Sequence, residues 1–186
     1  SQELDALIIA DMQNHRIRAL DLKTMEVTTI AGTSERVDRF SFPAGGYRDG
    51  DAEQALFNRP RDVALADNGA ILVADTGNNA IRQILDGQVH TIAGNGRAGY
   101  ADGEGTEAEF WGPSGIAIGP DDNIFVSDTL NNLIRKIDLE GRVTTFAGDK
   151  NNIGLLNEPV GLAGDADGSL IVADGVNHMV KRIIDG

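Results

Sequence analysis

The chain has 186 residues, of which 41% are hydrophobic, so it can bury the core of one sizeable domain and disorder is not expected. Its 29 acidic and 16 basic residues give a net charge of −13, which argues against binding to a nucleic-acid backbone, because such binding requires a positive surface. The lack of cysteine excludes disulfides and thiolate metal sites, and no apolar run approaches the roughly 18 residues of a membrane span.

One pattern occurs four times along the chain. A short apolar run ends in Ala-Asp or Ser-Asp, a polar turn follows, and an alternating segment comes after the turn. The four copies are residues 7–18, 71–82, 124–135 and 170–181. A repeat of this kind indicates the fold, because each copy is a unit that cannot bury its apolar face alone.

Two further segments recur around this pattern. A proline-containing segment precedes it at residues 57–65, 110–118 and 156–163, and a Val/Thr-rich segment follows it at residues 27–32, 89–94 and 143–148. Each unit therefore predicts four short strands, a to d, joined by Gly, Asn and Asp turns. Strand b is expected to be buried on both faces. In strand c of the second unit, Ile81 and Ile84 are expected to pack while Arg82 faces solvent.

Four strands in roughly 45–55 residues are typical of one blade of a β-propeller. We therefore expect an all-β fold, a single propeller segment of about three and a half four-stranded antiparallel blades. The strand tally is b-c-d, a-b-c-d, a-b-c-d and a-b-c. The repeat units are expected at approximately 1–56, 57–109, 110–155 and 156–186. A β-solenoid is the alternative, but its repeats are shorter.

The turn between strands b and c resembles the NHL-repeat family, which takes its name from an Asn-His-Leu signature. Here that position reads Asn14-His15-Arg16, Asn78-Asn79-Ala80, Asn131-Asn132-Leu133 and Asn177-His178-Met179. The resemblance covers essentially the whole chain and implies a propeller, usually of six blades. The chain is too short for six blades and begins at Ser1 rather than Met. We therefore predict a segment of a longer propeller, or an excised or engineered fragment, whose open blade faces allow homo-oligomers.

An Asp-x-x-Asn pair occupies this turn in every unit. The pairs are Asp11/Asn14, Asp75/Asn78, Asp128/Asn131 and Asp174/Asn177. Carboxylate and amide oxygens on one rim could bind a cation such as calcium. We favour a structural role, in which the side chains hold the turn through backbone hydrogen bonds, because the pair recurs in every unit. The prediction is therefore no metal and no cofactor, with calcium left as the alternative.

Two long loops between strands d and a, residues 45–57 and 98–110, are similar to each other. They should lie on the same rim as the b–c turns and bring Tyr47, Tyr100 and Asp102 there. Loops on a rigid scaffold often carry function, so these three are candidate binding residues. Alternatively, the tyrosine and phenylalanine residues staple each loop between neighbouring blades.

The places where the repeat is broken also point to binding. Trp111, the only tryptophan, stands where other units have asparagine, beside the expected central channel. Arg59, Arg61 and Asp62 replace smaller residues of the third unit. Tryptophan with nearby arginine is typical of binding hot spots, so these four are candidate binding residues. The alternative is ordinary loop packing.

Signals for catalysis are weak. Residues 94–99 match G-x-G-x-x-G but open no helix, so a dinucleotide site is not expected. His15, His90 and His178 are not expected to converge on a metal, and there is no Gly-x-Ser-x-Gly motif. The resemblance extends to propeller lyases, but their metal-binding and catalytic residues find no match here.

We therefore predict a non-catalytic interaction scaffold that binds a protein, peptide or glycan through its loop rim or central channel. The alternative is a divalent-metal-dependent propeller enzyme of lyase or lactonase type. No nucleic-acid partner and no membrane span are predicted. The glycine-rich, cysteine-free composition favours a bacterial protein that is secreted or at the cell surface.

Overall fold

The computed structural model of the chain describes residues 5–34, 37, 39 and 41–184, which form four successive antiparallel sheets. Each sheet is one blade. Blade 1 consists of β1 (Ala6–Asp11), β2 (Arg16–Asp21) and β3 (Val27–Ala31). Blade 4 consists of β14 (Pro159–Gly164), β15 (Leu170–Asp174) and β16 (Met179–Ile183).

Blades 2 and 3 have five strands each. Blade 2 consists of β4 (Gly50–Asp51), β5 (Asp62–Leu65), β6 (Ile71–Asp75), β7 (Ala80–Leu85) and β8 (Gln88–Ala93). Blade 3 consists of β9 (Gly103–Glu104), β10 (Pro113–Ile118), β11 (Ile124–Asp128), β12 (Leu133–Ile137) and β13 (Arg142–Gly148). The spatial orders are β5-β6-β7-β8-β4 and β10-β11-β12-β13-β9.

The prediction of an all-β propeller segment is confirmed, and the described strands follow the predicted tally of b-c-d, a-b-c-d, a-b-c-d and a-b-c. The turn Asp86-Gly87 has φ values of 50° and 73°, as a two-residue hairpin between right-twisted strands requires. Among the described residues no helix is long and apolar enough to cross a membrane.

Blades 2 and 3 contain the four predicted strands and one further strand each. In each of them the preceding long loop contributes a fifth, two-residue strand at the outer edge, with Gly50 opposite Val89 and Gly103 opposite Val143. These segments have no strand-like sequence. They pair with β8 and β13 because these outer strands would otherwise have an unpaired edge.

The hydrophobic core lies between adjacent blades. In β6, Ile71 and Val73 belong to the cluster shared with blade 1, whereas Leu72 and Ala74 belong to the cluster shared with blade 3. Successive side chains of a strand point to opposite faces, so an inner blade needs consecutive apolar residues in this strand up to its terminal aspartate. This arrangement explains the continuous apolar run, and the predicted burial of this strand on both faces is observed in β6.

The interfaces between blades are closed near the rim by residues from the segment that precedes each innermost strand. Phe57 packs between blades 1 and 2, Phe110 between blades 2 and 3, and Leu156 between blades 3 and 4. Blades 1 and 4 have neighbours on one side only along the described chain. Apolar side chains such as Leu7 and Val180 consequently remain 54% and 76% exposed.

Candidate functional site

The Asp-x-x-Asn turns that follow β1, β6, β11 and β15 lie on one rim. In blade 2, Asp75 is completely buried at the end of β6 and accepts three hydrogen bonds. The backbone N–H of Asn58 donates to Oδ1 (2.8 Å), while Asn78 Nδ2 (2.8 Å) and Arg82 Nη1 (2.7 Å) donate to Oδ2. The carboxylate therefore joins the turn, the following strand and the segment that leads into the innermost strand.

The other blades repeat this arrangement with different burial. In blade 3, Asp128 accepts from the backbone of Trp111, from Asn131 and from Arg135. In blade 1, the corresponding Asp11 and Arg18 are 3.4 Å apart and about a quarter exposed, at 26% and 24%. In blade 4, Asp174 pairs with Lys181 instead of an arginine and accepts a hydrogen bond from Asn177. In blade 1, Asn14 donates the equivalent hydrogen bond to Asp11.

Arg82 is fully buried, so the prediction that it faces solvent was wrong. The loop of residues 45–57 folds over it. Its guanidinium lies 5.0 Å from the ring centroid of Tyr47 and 5.1 Å from that of Phe57, and Nη2 is 2.5 Å from Asp49 Oδ1. Two carboxylates and two aromatic rings thus surround one guanidinium, which satisfies the charge that burial would otherwise penalise.

Blade 3 has the same clamp around Arg135. The guanidinium lies 5.3 Å from the ring centroids of both Tyr100 and Phe110, and Nη2 is 2.6 Å from Asp102 Oδ1. The structure therefore places three candidate binding residues, Tyr47, Tyr100 and Asp102, in arginine clamps on the outer part of the rim. Their contacts support the alternative of a staple between loop and blade.

Burial is the largest influence on the pKa values of Asp75 and Asp128. Desolvation raises the pKa of Asp75 to about 6, against the lowering effect of Arg82 and of the Asn58 N–H. Desolvation likewise raises the pKa of Asp128. With its pKa about one unit below neutral, Asp75 remains mostly ionised at pH 7 and keeps its salt bridge with Arg82.

A contact that the sequence did not reveal links each blade to the next. The residue after each Asp-x-x-Asn turn has positive φ, and its side chain accepts from the backbone N–H of the residue that precedes the next blade's proline. His15 Nδ1 accepts from Arg59, Asn79 Oδ1 from Gly112, and Asn132 Oδ1 from Glu158, at 2.8–2.9 Å. The signal in the sequence was that this position is always His or Asn.

The hydrogen bond of His15 requires an unprotonated Nδ1. Burial, followed by the positive charge of Arg59, lowers the pKa of His15 below its usual value of 6.5. The structure therefore holds the imidazole in its neutral form at physiological pH, with Nδ1 as the acceptor.

Three other candidate residues lie together on the inner part of the rim. Arg59, Arg61 and Trp111 line a cavity of about 580 Å³ at the end of the innermost strands, which we call the mouth pocket. Trp111 is 48% exposed and both arginines are exposed. The remaining lining residues are Met12, Gln13, Thr76, Gly77, Asn79, Ala98, Gly112, Thr129, Leu130, Glu158 and Val160.

The backbone beneath these three side chains is fixed. Trp111 N–H donates to Asp128 Oδ1 at 2.7 Å, Arg59 N–H donates to His15, and Arg61 N–H donates to the carbonyl of Ala74 at 3.0 Å. Within the described part of the chain, however, neither the Arg59 nor the Arg61 guanidinium makes a hydrogen bond or a salt bridge. Their side chains are thus free to contact a ligand while their position is set by the fold.

Asp62 does not line the mouth pocket. Its Oδ2 accepts from the backbone N–H of Ile116 in blade 3 at 3.0 Å, and burial raises its pKa. This candidate residue therefore links two innermost strands. The structure brings together Arg59, Arg61 and Trp111 and separates them from Asp62.

The three histidines lie in different parts of the fold. His15 and His178 follow the rim turns of blades 1 and 4, and His90 lies in β8, one of the outer strands. Across residues 5–34, 37, 39 and 41–184, no group of three His, Asp or Glu side chains is arranged to hold a metal ion.

The family profile described as NHL repeat matches residues 57–84 and 110–137. The chain is 37% identical over 143 residues to protein SUPPRESSOR OF QUENCHING 1 of Arabidopsis thaliana, covering 74% of the chain and 13% of that protein. It is 49% identical over 93 residues to NHL repeat-containing protein 2 of Gallus gallus, covering 48% of the chain and 12% of that protein. The chain thus corresponds to a small part of the length of both relatives.

Among solved structures, a protein of unknown function from Bacteroides thetaiotaomicron superimposes with a TM-score of 0.73 at 21% identity. The match covers 96% of the chain and 44% of that protein. At this identity the similarity concerns the fold alone, and it agrees with the four blades described above.

Proposed function

Because the chain belongs to the NHL-repeat family, we propose that it is a rigid, non-catalytic scaffold that binds a protein, peptide or glycan at the mouth pocket. The observation that supports this most is the contrast between fixed backbone and free side chains at Arg59, Arg61 and Trp111. Most of the recurrent polar side chains of the rim are committed to contacts inside or between blades.

The fold does not need the three side chains of the pocket. The backbone of Asn58, Trp111 and Asn157 donates the same hydrogen bond to the buried aspartate of its blade, although the side chains differ. Glycine and serine stand in blade 3 where Arg59 and Arg61 stand in blade 2. Large side chains that the repeat does not require, grouped around one cavity, favour a binding role.

The alternative, a metal-dependent propeller enzyme, requires acidic and imidazole ligands that converge near the channel. In the described residues the buried aspartates of the rim are saturated by hydrogen bonds and arginine or lysine contacts, and the histidines are dispersed. The scaffold is therefore the function that this geometry supports better.

We also propose that the four blades form part of a larger propeller assembly, through further blades or a second copy. The exposed apolar side chains of blades 1 and 4 support this proposal. Light scattering across a dilution series tests the second copy: a concentration-independent dimer is expected if copies pair, and a monomer at all concentrations would contradict pairing.

The single tryptophan makes the mouth pocket directly observable. Titration of the protein with panels of peptides and oligosaccharides, followed by Trp111 fluorescence, should give a saturable change in emission for a true ligand. The variant Trp111→Asn, which carries the residue of the equivalent positions, should bind that ligand at least tenfold more weakly, about 1.4 kcal/mol. A ligand that binds Trp111→Asn as tightly as the unmodified protein would contradict the proposed site.

A further inference from the structure

We propose that the mouth pocket recognises an acidic peptide segment, whose carboxylates pair with Arg59 and Arg61 and whose apolar side chain packs on Trp111. This inference rests on the proposed function and specifies the chemical class of its ligand.

The charge of the pocket differs from that of the molecule. The protein carries a net charge of −13, whereas the residues lining the pocket include two arginines and one acidic residue, Glu158. Other arginines, such as Arg82 and Arg135, are neutralised by acidic partners. Two guanidinium groups without protein partners in the described chain, only two residues apart, therefore form a local site for anions.

Guanidinium geometry favours carboxylate or phosphate oxygens, which it binds through two parallel hydrogen bonds. A nucleic acid carries one phosphate on every nucleotide, and its extended chain would be repelled by the surrounding negative charge. A peptide can place one or two carboxylates at the arginines and leave neutral groups elsewhere. A peptide therefore fits the charge distribution better than a polyanion.

One part of the pocket wall is apolar. Trp111 and Leu130 of blade 3 and Val160 of blade 4 line it and are 48%, 45% and 36% exposed. Such a wall gains free energy by burying an aliphatic or aromatic side chain, at about 25 cal/mol per Å² of apolar surface. A neutral sugar has no carboxylate to pair with Arg59 and Arg61, so it would leave the basic part of the pocket unused. Basic and apolar walls together therefore select acidic residues next to apolar ones.

The first test is selection of binders from a phage-displayed library of random dodecapeptides on the immobilised full chain. We expect enrichment of Asp or Glu beside Leu, Ile or Phe. The same selection on Arg59→Gly/Arg61→Ser should lose the acidic enrichment and keep the apolar one. Both substitutions use residues found at the equivalent positions of blade 3, so the variant should fold.

The best peptide is then labelled and titrated by fluorescence anisotropy, together with its Glu/Asp→Gln/Asn counterpart. Each lost charged contact should weaken binding about tenfold. The control Arg142→Ser removes an exposed arginine outside the pocket and should bind like the unmodified protein. A single-stranded oligonucleotide and an oligouronate of similar charge are expected to bind more weakly than the peptide.

The outcomes distinguish failure of the acidic-peptide class from failure of the mouth pocket as a binding site. Selected peptides without acidic enrichment, or equal affinity for the amide counterpart, would overturn the acidic-peptide class, while dependence on Trp111 would preserve the pocket as a binding site. Tighter binding of the oligonucleotide or the oligouronate would also overturn the class. If no peptide binder is selected, or none depends on Trp111, the inference fails. The proposed function fails as well only if the oligosaccharide titration also gives no ligand that depends on Trp111.

Discussion

At the scale of single residues, one motif serves different environments. The aspartate of the Asp-x-x-Asn turn and the arginine of the following strand are fully buried in blades 2 and 3 and partly exposed in blade 1. A buried ion pair is retained only when every charge is satisfied, since an unpaired buried charge is strongly destabilising. The same substitution should therefore have very different consequences in different blades.

Arg82→Met is expected to lower the free energy of unfolding by about 3–5 kcal/mol, because it leaves Asp75 buried without its cation. Arg18→Met, the equivalent change in blade 1, should cost about 1 kcal/mol or less, because that pair is partly hydrated. Urea denaturation measures both. Equal losses would show that the buried clamp is no more important than its exposed counterpart.

The His15 contact predicts a pH dependence of stability. The folded state holds the pKa of His15 below its unfolded value of 6.5, so the unfolded chain takes up the proton first as the pH falls. The contribution of neutral His15 is therefore complete above about pH 6.5 and decreases as the pH falls through 6.5 toward the folded pKa.

His15→Asn introduces the residue found at the same position in blades 2 and 3, which accepts the hydrogen bond without titrating. Thermal denaturation between pH 8 and pH 5 should show a smaller loss of stability for this variant. Asp75 and Asp128 titrate in both proteins, so the difference between the two curves isolates His15. Parallel curves would contradict a neutral His15 in the folded state.

At the scale of elements, the innermost strands approach each other closely. Gly115 in β10 lies against Val160 in β14, and a Cβ at position 115 would overlap the Val160 carbonyl oxygen. The equivalent Gly161 in β14 would place its Cβ 3.8 Å from Ala173, an ordinary contact. The need for glycine at this position thus arises from a neighbouring blade and not from the strand itself.

Gly115→Ala should destabilise the protein by about 1–3 kcal/mol, because the two innermost strands must move apart. Gly161→Ala should change stability by less than about 0.5 kcal/mol in the isolated chain. Differential scanning calorimetry of the two variants measures both losses of stability. A larger loss for Gly161→Ala would mean that blade 4 also has a neighbour in solution.

The strands could be predicted because each is short, apolar and bounded by Gly, Asn or Asp turns, as residues 71–85 illustrate. The outer strands β4 and β9 could not, because Gly50 and Gly103 pair with residues about 40 positions away and have no strand propensity. Arg82 was misplaced for a related reason. Alternation along a strand gives the direction of a side chain, but it does not reveal that a distant loop covers it.

Part of the candidate site was also predictable. Trp111, Arg59 and Arg61 stand out because they depart from the repeat, and the structure brings them to one cavity. Tyr47, Tyr100 and Asp102 are of residue types that are common in binding sites, but here they contact buried arginines. Sequence alone does not distinguish an aromatic residue that binds a ligand from one that stacks on an internal guanidinium.

At the scale of the whole molecule, the contacts that recur from blade to blade stabilise the scaffold. The residues that depart from the repeat form the proposed binding site. Each blade binds the next through the residue after the turn and through apolar clusters at the interface. The side chains of Arg59, Arg61 and Trp111 take no part in these contacts. The central claim is therefore that stability and binding depend on separate residues.

The triple variant Arg59→Gly/Arg61→Ser/Trp111→Asn tests this claim most directly, because it contains only residues that the chain uses at equivalent positions. Its free energy of unfolding in urea and its affinity for a ligand of the mouth pocket should be measured side by side. We expect stability within about 1 kcal/mol of the unmodified protein and affinity lower by at least about a hundredfold. Unchanged affinity, or unfolding of the variant, would contradict the separation of scaffold and binding site.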